Sequence, residues 1–287
     1  MKNLTDGFKW TSYSGIIVSA LSFLQIIIVT NFLSPEQIAV VTLGIAFITL
    51  GKVLNDMGIG ASIVQSKSLS TNDMSVLFII NLFIGLIIFF ILNLSAQSIS
   101  VFFSTHELKE VIEILSFIFI INSTGHHSLT FLQKNLIFNL IAKIEIFSAS
   151  LSFMSVMIFL KFELGIFSII YGRLIYYISL NFLSILFKHQ DYKLTIFPRF
   201  KRVIHFYKFG IYLMYEKIFQ FIRFNADTFI ISKFLGNEVL GLYTISKTIV
   251  MKPFEIVEPI INKVMYPLYC KHNDNTMKLK NLFKIKV

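Results

Sequence analysis

The sequence contains little cysteine and little charge. Cys270 is the only cysteine among 287 residues, which excludes a disulfide framework within the chain and any cysteine-rich metal site. Charged residues make up 15% of the chain, against about 25% in an average soluble domain. Hydrophobic residues reach 55% and the mean hydropathy is +0.73. We therefore expect a membrane protein rather than a soluble domain.

Nucleotide-binding and targeting motifs are also missing. Residues 58–60 (Gly-Ile-Gly) lack the third glycine of a dinucleotide-binding fingerprint and follow an apolar segment instead of a strand, so they predict a turn. No Walker motif occurs in the sequence, and we expect neither ATP-driven activity nor a cofactor. The first apolar segment is too long for a signal peptide and has no small-residue cleavage site after it, so we interpret it as uncleaved.

Long apolar segments recur along the chain at lengths that suit membrane-spanning helices. They predict an all-α polytopic membrane protein with about eight transmembrane helices. The segments lie at approximately residues 8–32, 35–56, 74–96, 111–131, 144–160, 164–187, 210–233 and 240–269. Ser34 and Pro35 predict the start of the second helix, as N-cap and first helical residue. Residues 132–143 mix cationic and apolar side chains and are predicted to lie along the membrane surface.

A basic stretch divides the apolar segments into two groups. Residues 188–209 form the longest polar stretch between two spans, and we interpret them as a cytoplasmic connector. The predicted organisation is a six-helix transmembrane bundle over residues 1–187, this connector, the first hairpin of a second bundle over 210–269, and a basic cytoplasmic tail over 270–287.

The distribution of positive charge predicts the orientation of the chain. With both termini in the cytoplasm, most of the 26 Lys and Arg residues lie inside, whereas Lys109, Lys161 and Lys233 lie outside. This asymmetry explains the net charge of +10 without a nucleic-acid partner. We expect a multi-pass protein whose main contact is the lipid bilayer.

The last hairpin carries charged residues within otherwise apolar segments. Four polar residues recur at helical spacing on its first arm and form one stripe: Glu216, Gln220, Arg223 and Asp227. A charged side chain at the centre of a membrane helix costs about 2.5–3.5 kcal/mol, and each large apolar residue returns only about 0.3–0.6 kcal/mol. We therefore expect the stripe to face other helices or a watery cavity.

The charges of this hairpin have two interpretations. Asp227 and Lys247 are expected at similar depth in the membrane, which predicts an ion pair between them, and Arg223 is expected nearer Glu255. Such pairs either hold the two helices together or line a charged transport cavity. On the sixth span, Arg173 is a candidate to bind a pyrophosphate, or else to pair with an acidic residue of its own bundle.

Two histidines are adjacent near the inner end of the fourth span. His126 and His127 point about 100° apart on a helix, so they cannot both face one metal ion. We expect no metal site. The histidines are interpreted either as interfacial residues at a helix end or as a phosphate contact or protonation switch.

An internal repeat relates the first hairpin to the last. Residues 31–47 (NFLSPEQIAVVTLGIAF) align with 233–249 (KFLGNEVLGLYTISKTI), so that position 31 lies over position 233, a shift of 202 residues. Polar positions also recur at this shift: Gln25 with Asp227, and Asp56 with Glu258. The alternative is that two membrane hairpins share their composition by chance.

The same two hairpins carry a resemblance to a known family. In the last hairpin the segments are DTFIISKFLGNEVLGLYTISKTIVMKP (227–253) and NKVMYPLYCKHND (262–274), and in the first they are LSPEQIAVVTL (33–43) and DMGIGASIVQ (56–65). These segments are similar to the seventh and eighth helices and to the first hairpin of Wzx-type lipid-linked oligosaccharide flippases. That family belongs to the multidrug, oligosaccharidyl-lipid and polysaccharide exporter superfamily.

The resemblance implies a MATE-like architecture with two six-helix bundles around a central cationic cavity. This chain would supply the first bundle and the first two helices of the second, and we expect it to be truncated at its C-terminus. The implied activity is not enzymatic. An anionic polyprenyl-pyrophosphate-linked oligosaccharide would be flipped across the bacterial cytoplasmic (inner) membrane by alternating access, for O-antigen, lipopolysaccharide, capsule or exopolysaccharide synthesis. Other polysaccharide-assembly proteins would be partners.

Candidate substrate-binding residues follow from the resemblance and from the polar faces. The resemblance implies polar residues on the first helices of each bundle at Asp56, Asp227 and Lys247. Arg223 and Glu258 follow from the polar-face argument alone. The full set of predicted cavity residues is Gln25, Asp56, Arg173, Arg223, Asp227, Lys247 and Glu258.

Three alternatives to a flippase remain. A cation-coupled multidrug exporter of the same superfamily should present an acidic cavity, whereas here Arg173, Arg223 and Lys247 are available. A membrane glycosyltransferase or polymerase needs catalytic residues on a sizeable external loop, and the predicted outer loops are too short. The third alternative is an inactive, truncated fragment.

Overall fold

The structure is a computed structural model that describes residues 2–66, 70–187, 195 and 204–259, with side chains for residues 7–66, 70–187, 195 and 210–251. The described residues form nine α-helices and no strand. The helices are α1 (Lys2–Val29), α2 (Pro35–Asp56), α3 (Ile59–Gln65), α4 (Thr71–Phe102), α5 (Leu108–Lys134), α6 (Phe138–Lys161), α7 (Phe167–Leu186), α8 (Ile204–Leu235) and α9 (Asn237–Pro259). The predicted all-α class is confirmed.

Eight of these helices are long and follow the order of the predicted spans. Five are both long and apolar enough to cross a membrane, namely α1 from Gly7 onward, α2, α4, α6 and α7. The helices α5, α8 and α9 contain 27, 32 and 23 residues. They carry the two adjacent histidines and the charged residues of the last hairpin. The chain is a multi-pass membrane protein.

The start of α2 follows the predicted capping pattern. The Ser34 hydroxyl accepts a hydrogen bond from the Gln37 backbone N–H at 3.4 Å, and the Gln37 side chain accepts one from the Ser34 N–H at 3.0 Å. Pro35 occupies the first helical position, where its missing N–H costs nothing. The same reciprocal arrangement between Ser70 and Asp73 begins α4.

The prediction that residues 132–143 lie along the membrane surface is wrong. The helix α5 continues to Lys134, and α6 begins at Phe138 after a short turn. Leu132, Phe138 and Ile141 are buried in one apolar cluster at this end of the bundle. Because these side chains pack between helix ends, the alternation of apolar and cationic residues reflects a tight helix–helix connection, not an interfacial helix.

The turn after α2 contains the short helix α3, which sequence reasoning did not predict. Gly58 has a φ of +71° and caps α3, so the turn lies at Met57 and Gly58, and of the predicted turn at residues 58–60 only Gly58 belongs to it, because Ile59 and Gly60 are helical. Ile59 and Ile63 are fully buried and pack against Val76 and Leu77 of α4. Burial of this apolar face holds a helix that is too short to be stable alone.

The last two helices form the predicted hairpin with a tighter turn than expected. Gly236 alone separates α8 from α9, and its φ of +88° is a conformation that a glycine adopts at no steric cost. At its other end α8 begins at Ile204, before the predicted start of the hairpin at Gly210. The hairpin therefore extends into the stretch interpreted as a connector.

Helix α5 packs between α4 and α7, and α7 packs on α6, with α1 against α6 and α2 against α5. The hairpin of α8 and α9 packs on this bundle, because both of its helices contact α2 and α9 also contacts α1. Two close backbone contacts occur here. A Cβ on Gly241 would overlap the Pro35 backbone, and one on Gly58 would overlap the backbone of Gly210.

Candidate functional site

A cavity of about 640 Å³ lies between the α1–α2 hairpin and the α8–α9 hairpin, with α7 as a further wall. We call it the main cavity. Its polar lining residues are Ser22, Gln25, Thr42, Arg173, Asn225, Thr228, Thr244, Lys247 and Thr248. Among the described residues that line it, none is acidic. Hydroxyl and amide groups therefore dominate its polar surface.

The main cavity is lined by corresponding positions of the two repeated hairpins. At the shift of 202 residues found in the sequence, both members of four aligned pairs line it: Ser22 with Phe224, Ile26 with Thr228, Thr42 with Thr244, and Ile45 with Lys247. The two hairpins thus present the same helix faces to one cavity. This agreement supports the repeat against the alternative of chance similarity in composition.

Lys247 is held inside the hairpin by an ion pair. Its ammonium lies 2.6 Å from the Asp227 carboxylate and donates to the Phe224 carbonyl at 2.5 Å. The same carboxylate accepts hydrogen bonds from the Tyr243 hydroxyl and, at 2.8 Å, from the Thr228 backbone N–H. The predicted ion pair between Asp227 and Lys247 is confirmed, and it neutralises the charge of Lys247.

A second cavity of about 300 Å³ adjoins the main one, and we call it the side cavity. The two share Ser22, Gln25, Ile169 and Arg173 as lining residues. Arg173 therefore stands at their junction. Tyr176 and Tyr177 of α7 also line the side cavity, which gives it an aromatic wall.

Tyr177 contacts a cationic side chain of another helix. Its hydroxyl accepts a hydrogen bond from Lys52 of α2, and Arg173 precedes it by one turn on α7. The Lys52 ammonium also lies 3.6 Å from the centre of the Tyr177 ring, a cation–π contact. In the part of the chain that the structure describes, no carboxylate lies within ion-pair distance of Lys52 or Arg173.

A third cavity of about 260 Å³, the inner cavity, lies beyond Lys52. Its lining residues are Thr49, Lys52, Val53, Asn55, Asp56, Asn81, Asn122, His126 and Lys217. The Asp56 carboxylate is 2.6 Å from the Lys217 ammonium and 3.5 Å from His126 Nε2, and it accepts from the Gly60 N–H at 3.1 Å. Lys52 lines this cavity and contacts Tyr177, so the pair separates the inner cavity from the side cavity.

Two buried asparagines connect α2 to α4 beside the inner cavity. The Asn81 side chain donates to the Asn55 carbonyl at 3.0 Å, and the Ser123 hydroxyl donates to the Asn81 carbonyl at 3.2 Å. Both asparagines are at most 4% exposed. This arrangement ties the polar end of α2 to α4 and α5.

The chain matches a family described as polysaccharide biosynthesis protein over residues 28–286. It belongs to this family. The match confirms the resemblance found in the hairpin segments, and it covers most of the helices described here.

Curated relatives extend the comparison over most of the chain. It is 26% identical to the teichuronic acid biosynthesis protein TuaB of Bacillus subtilis over 94% of this chain and 56% of the relative. It is 25% identical to the lipopolysaccharide biosynthesis protein WzxC of Escherichia coli over 98% of this chain and 57% of the relative. The succinoglycan biosynthesis transport protein ExoT of Rhizobium meliloti is 21% identical over 93% and 54%. The chain thus spans about half the length of these relatives. No solved structure matches it.

The structure places three of the predicted cavity residues around one space. Gln25, Arg173 and Lys247 line the main cavity, and Asp227 lies beside it through its pair with Lys247. Asp56 lies apart from them, in the inner cavity. The role of these residues in substrate binding stays a prediction.

The remaining predicted residues are not part of this cluster. Arg223 is exposed on α8, with its guanidinium 4.5 Å from the centre of the Phe224 ring. The side chain of Glu258 lies outside the described residues, as does that of Glu255, the expected partner of Arg223.

The polar stripe of α8 does not face the bundle as a whole. Glu216 and Gln220 are exposed, and the Gln220 side chain donates a hydrogen bond to the Glu216 carboxylate at 3.2 Å. Arg223, one turn further on, is exposed as well. The helix instead buries Phe221 and Thr228, since these residues lie on the side that packs against its neighbours. The described helices therefore do not cover the stripe, and the expectation that it faces other helices or a watery cavity stays a prediction.

Sequence reasoning missed Lys52 and Lys217 as members of the polar network. Lys217 follows the stripe by one position, and its pairing with Asp56 crosses 161 positions of sequence. The only signal in the sequence was the opposite charge of the two residues. His126 was noted in the sequence, and its Nε2 lies 3.5 Å from the Asp56 carboxylate. His127 is fully buried.

Proposed function

We propose that this chain serves in flipping an anionic polyprenyl-pyrophosphate-linked oligosaccharide across the bacterial cytoplasmic membrane. The observation that carries this proposal is the main cavity, which is lined by corresponding positions of two repeated hairpins. Transport by alternating access uses related structural units that rock around a shared binding site. The two hairpins fit that requirement, because each contributes the same helix faces to the cavity.

The chemistry of the main cavity suits a lipid-linked glycan. Threonine, serine, asparagine and glutamine side chains offer both donors and acceptors, which sugar hydroxyls also do. Arg173 offers a planar guanidinium that binds phosphate oxygens bidentately. A carrier of cationic drugs needs a free carboxylate in its cavity, and the described lining contains none.

The proposal includes the organisation inferred from the sequence. Residues 1–187 form a first bundle, the hairpin at 210–269 begins a second, and the basic segments 188–209 and 270–287 lie in the cytoplasm with both termini. Family membership and the docking of α8 and α9 on α2 support this organisation. The protein acts as a carrier and not as an enzyme, together with other polysaccharide-assembly proteins.

Complementation tests the proposal directly. The chain is expressed in a bacterial strain that lacks its own oligosaccharide flippase, and surface polysaccharide is measured. We expect the parent chain to restore polysaccharide and the Arg173→Gln variant to fail at equal membrane abundance. The matched control is Lys161→Gln, because Lys161 is exposed at the end of α6. Absence of polysaccharide with an abundant parent chain, or full activity of Arg173→Gln, would contradict the proposal.

A further inference from the structure

We propose that the contact between Lys52 and Tyr177 is a gate between the inner cavity and the side cavity, and that a diphosphate group opens it by taking the Lys52 ammonium from the Tyr177 hydroxyl. This inference rests on the proposed flippase function and gives it an entry route with two positioning residues. It follows from where the pair lies, from how the Lys52 ammonium is held, and from the acceptors on the far side of the contact.

The pair lies where the two cavities meet. Lys52 lines the inner cavity and Tyr177 lines the side cavity. The Lys52 ammonium donates to the Tyr177 hydroxyl and lies 3.6 Å from the centre of the ring, so the lysine side chain spans the boundary. The side cavity in turn shares Ser22 and Gln25 with the main cavity. An opening at this contact would therefore join the three cavities into one polar route.

The contact depends on one long side chain that reaches between two helices. Helix α2 packs on α5, α8 and α9, whereas α7 packs on α5 and α6. Lys52 and Tyr177 are both half-buried. A lysine carries its ammonium on a flexible four-carbon stem. The ammonium can consequently leave the phenol by a change of rotamer, without displacement of either helix.

The partner of Lys52 is a neutral group. Its neighbour in the inner cavity, Lys217, lies 2.6 Å from the Asp56 carboxylate, and that pair neutralises both charges. Tyr177 offers Lys52 a hydrogen bond and the face of a ring instead. A phosphate oxygen adds the attraction between opposite charges to the hydrogen bond. A diphosphate that enters the inner cavity is therefore a stronger partner for Lys52 than Tyr177 is.

The inner cavity also contains acceptors for an ammonium that has turned away from Tyr177. Asp56 follows Lys52 by one helical turn, so the two side chains lie on the same side of α2. The side-chain oxygens of Asn55 and Asn81 are buried and accept no hydrogen bond from the residues that the structure describes, and both asparagines line the inner cavity. A buried acceptor without a donor is unfavourable. These groups stabilise Lys52 in the open position.

Cysteine accessibility tests the gate. Cys270 is the only cysteine of the chain, so Cys270→Ser gives a background in which Ser22→Cys reports on the side cavity. Inside-out membrane vesicles present the cytoplasmic face to a membrane-impermeant thiosulfonate, and the rate of labelling is measured. Tyr177→Phe should raise this rate at least about threefold, because it removes the acceptor that holds Lys52. Tyr176→Phe is the matched control and should leave the rate within about 1.5-fold of the parent.

A second reporter checks that the variants remain folded. Thr49→Cys, in the same Cys270→Ser background, places the thiol in the inner cavity, on the cytoplasmic side of the gate. Its labelling rate should be the same with Tyr177, with Tyr177→Phe and with Tyr176→Phe. A rise at Ser22→Cys alone therefore reports opening of the gate and not a general loosening of the bundle.

Added diphosphate provides the second arm. The probes are inorganic pyrophosphate in solution and phytanyl diphosphate in the vesicle membrane. We expect phytanyl diphosphate to raise the Ser22→Cys rate at least about threefold, and to have no effect in Lys52→Met, which has no ammonium to transfer. Chloride at equal ionic strength is the control and should leave the rate unchanged. Acceleration by pyrophosphate as well would show that the diphosphate group is sufficient, whereas acceleration by pyrophosphate alone would overturn the gate as an entry route for a lipid.

The outcomes separate the two proposals. Equal Ser22→Cys rates in Tyr177→Phe and Tyr176→Phe, or no acceleration by either diphosphate, overturn the gate. Labelling does not require transport, so those results leave the flippase proposal standing. Absence of surface polysaccharide in the complementation strain contradicts the flippase proposal even where labelling responds to Tyr177→Phe.

Discussion

The ammonium of Lys217 in α8 lies 2.6 Å from the carboxylate of Asp56 at the end of α2. This pair joins the last hairpin to the first, since the two residues are 161 positions apart in the sequence. Asp56 keeps 15% of its side chain exposed and Lys217 keeps 42%, so solvent screens one partner more than the other. The pair is thus one of the polar contacts by which α8 docks on the bundle.

A double-mutant cycle on this pair should show coupling. Asp56→Asn and Lys217→Gln should each lower the thermal unfolding temperature of the purified protein in detergent, and the double variant should lose less than the sum. We expect a coupling energy of about 0.5–2 kcal/mol, because Lys217 is partly exposed. Lys161→Gln serves as the control for loss of one exposed cation. Strict additivity of the two single effects would show that the contact contributes nothing to docking.

The ion pair between Asp227 and Lys247 should be structural and replaceable by a neutral pair. Lys247→Met alone leaves the Asp227 carboxylate with a hydroxyl and a backbone N–H as partners, and should destabilise the protein by about 1–3 kcal/mol. Adding Asp227→Asn should recover most of that loss. The measurements are thermal unfolding and surface polysaccharide in the complementation strain. A double variant that is stable but inactive would instead assign the charges to the substrate.

Tyr177 and Tyr176 are adjacent and both line the side cavity. We nevertheless expect their hydroxyls to contribute differently to the stability of the protein. Tyr177→Phe removes the hydrogen-bond acceptor of the Lys52 ammonium, and we expect it to cost about 1–3 kcal/mol of stability. Tyr176→Phe is the matched control and should change the unfolding temperature little. Identical behaviour of the two variants would contradict the assigned role of Tyr177.

Gly241→Ala should loosen the contact between the two hairpins. The added Cβ would overlap the Pro35 backbone, which cannot move aside as a flexible side chain does, so we expect a loss of about 1–3 kcal/mol. At roughly 2–4 °C per kcal/mol, the shift is measurable by thermal unfolding. Leu242→Ala is the control, because Leu242 is 54% exposed on the same turn of α9. An unchanged unfolding temperature for Gly241→Ala would mean that α9 does not press on Pro35.

The sequence predicted the positions of the helices more completely than it predicted how those helices pack against each other. Apolar length identified the eight long helices, and the capping residues Ser34 and Pro35 located the start of α2. The segment at 132–143 was misassigned because helix ends that pack together and a helix at a membrane surface produce the same mixture of apolar and cationic residues. Amphipathic pattern alone does not distinguish them.

Within the candidate site, the sequence predicted the ion pair whose two residues belong to the same hairpin. Asp227 and Lys247 are joined by a short turn, so helical rise alone brought them to one depth. The contacts of Lys52 with Tyr177 and of Lys217 with Asp56 depend on how distant helices rotate against each other. The charge of a residue and its depth in the membrane can be read from its own helix. The direction in which its side chain points depends on how that helix packs on the others. The exposure of Arg223 has the same cause.

The α8–α9 hairpin touches the first hairpin through bare backbone near both of its ends, at Gly210 against Gly58 and at Gly241 against Pro35. Contacts without side chains have no rotamers to rearrange when two segments tilt or slide. A side chain larger than hydrogen at Gly58, Gly210 or Gly241 would push the two hairpins apart at that point, so these glycines set how closely the hairpins approach each other.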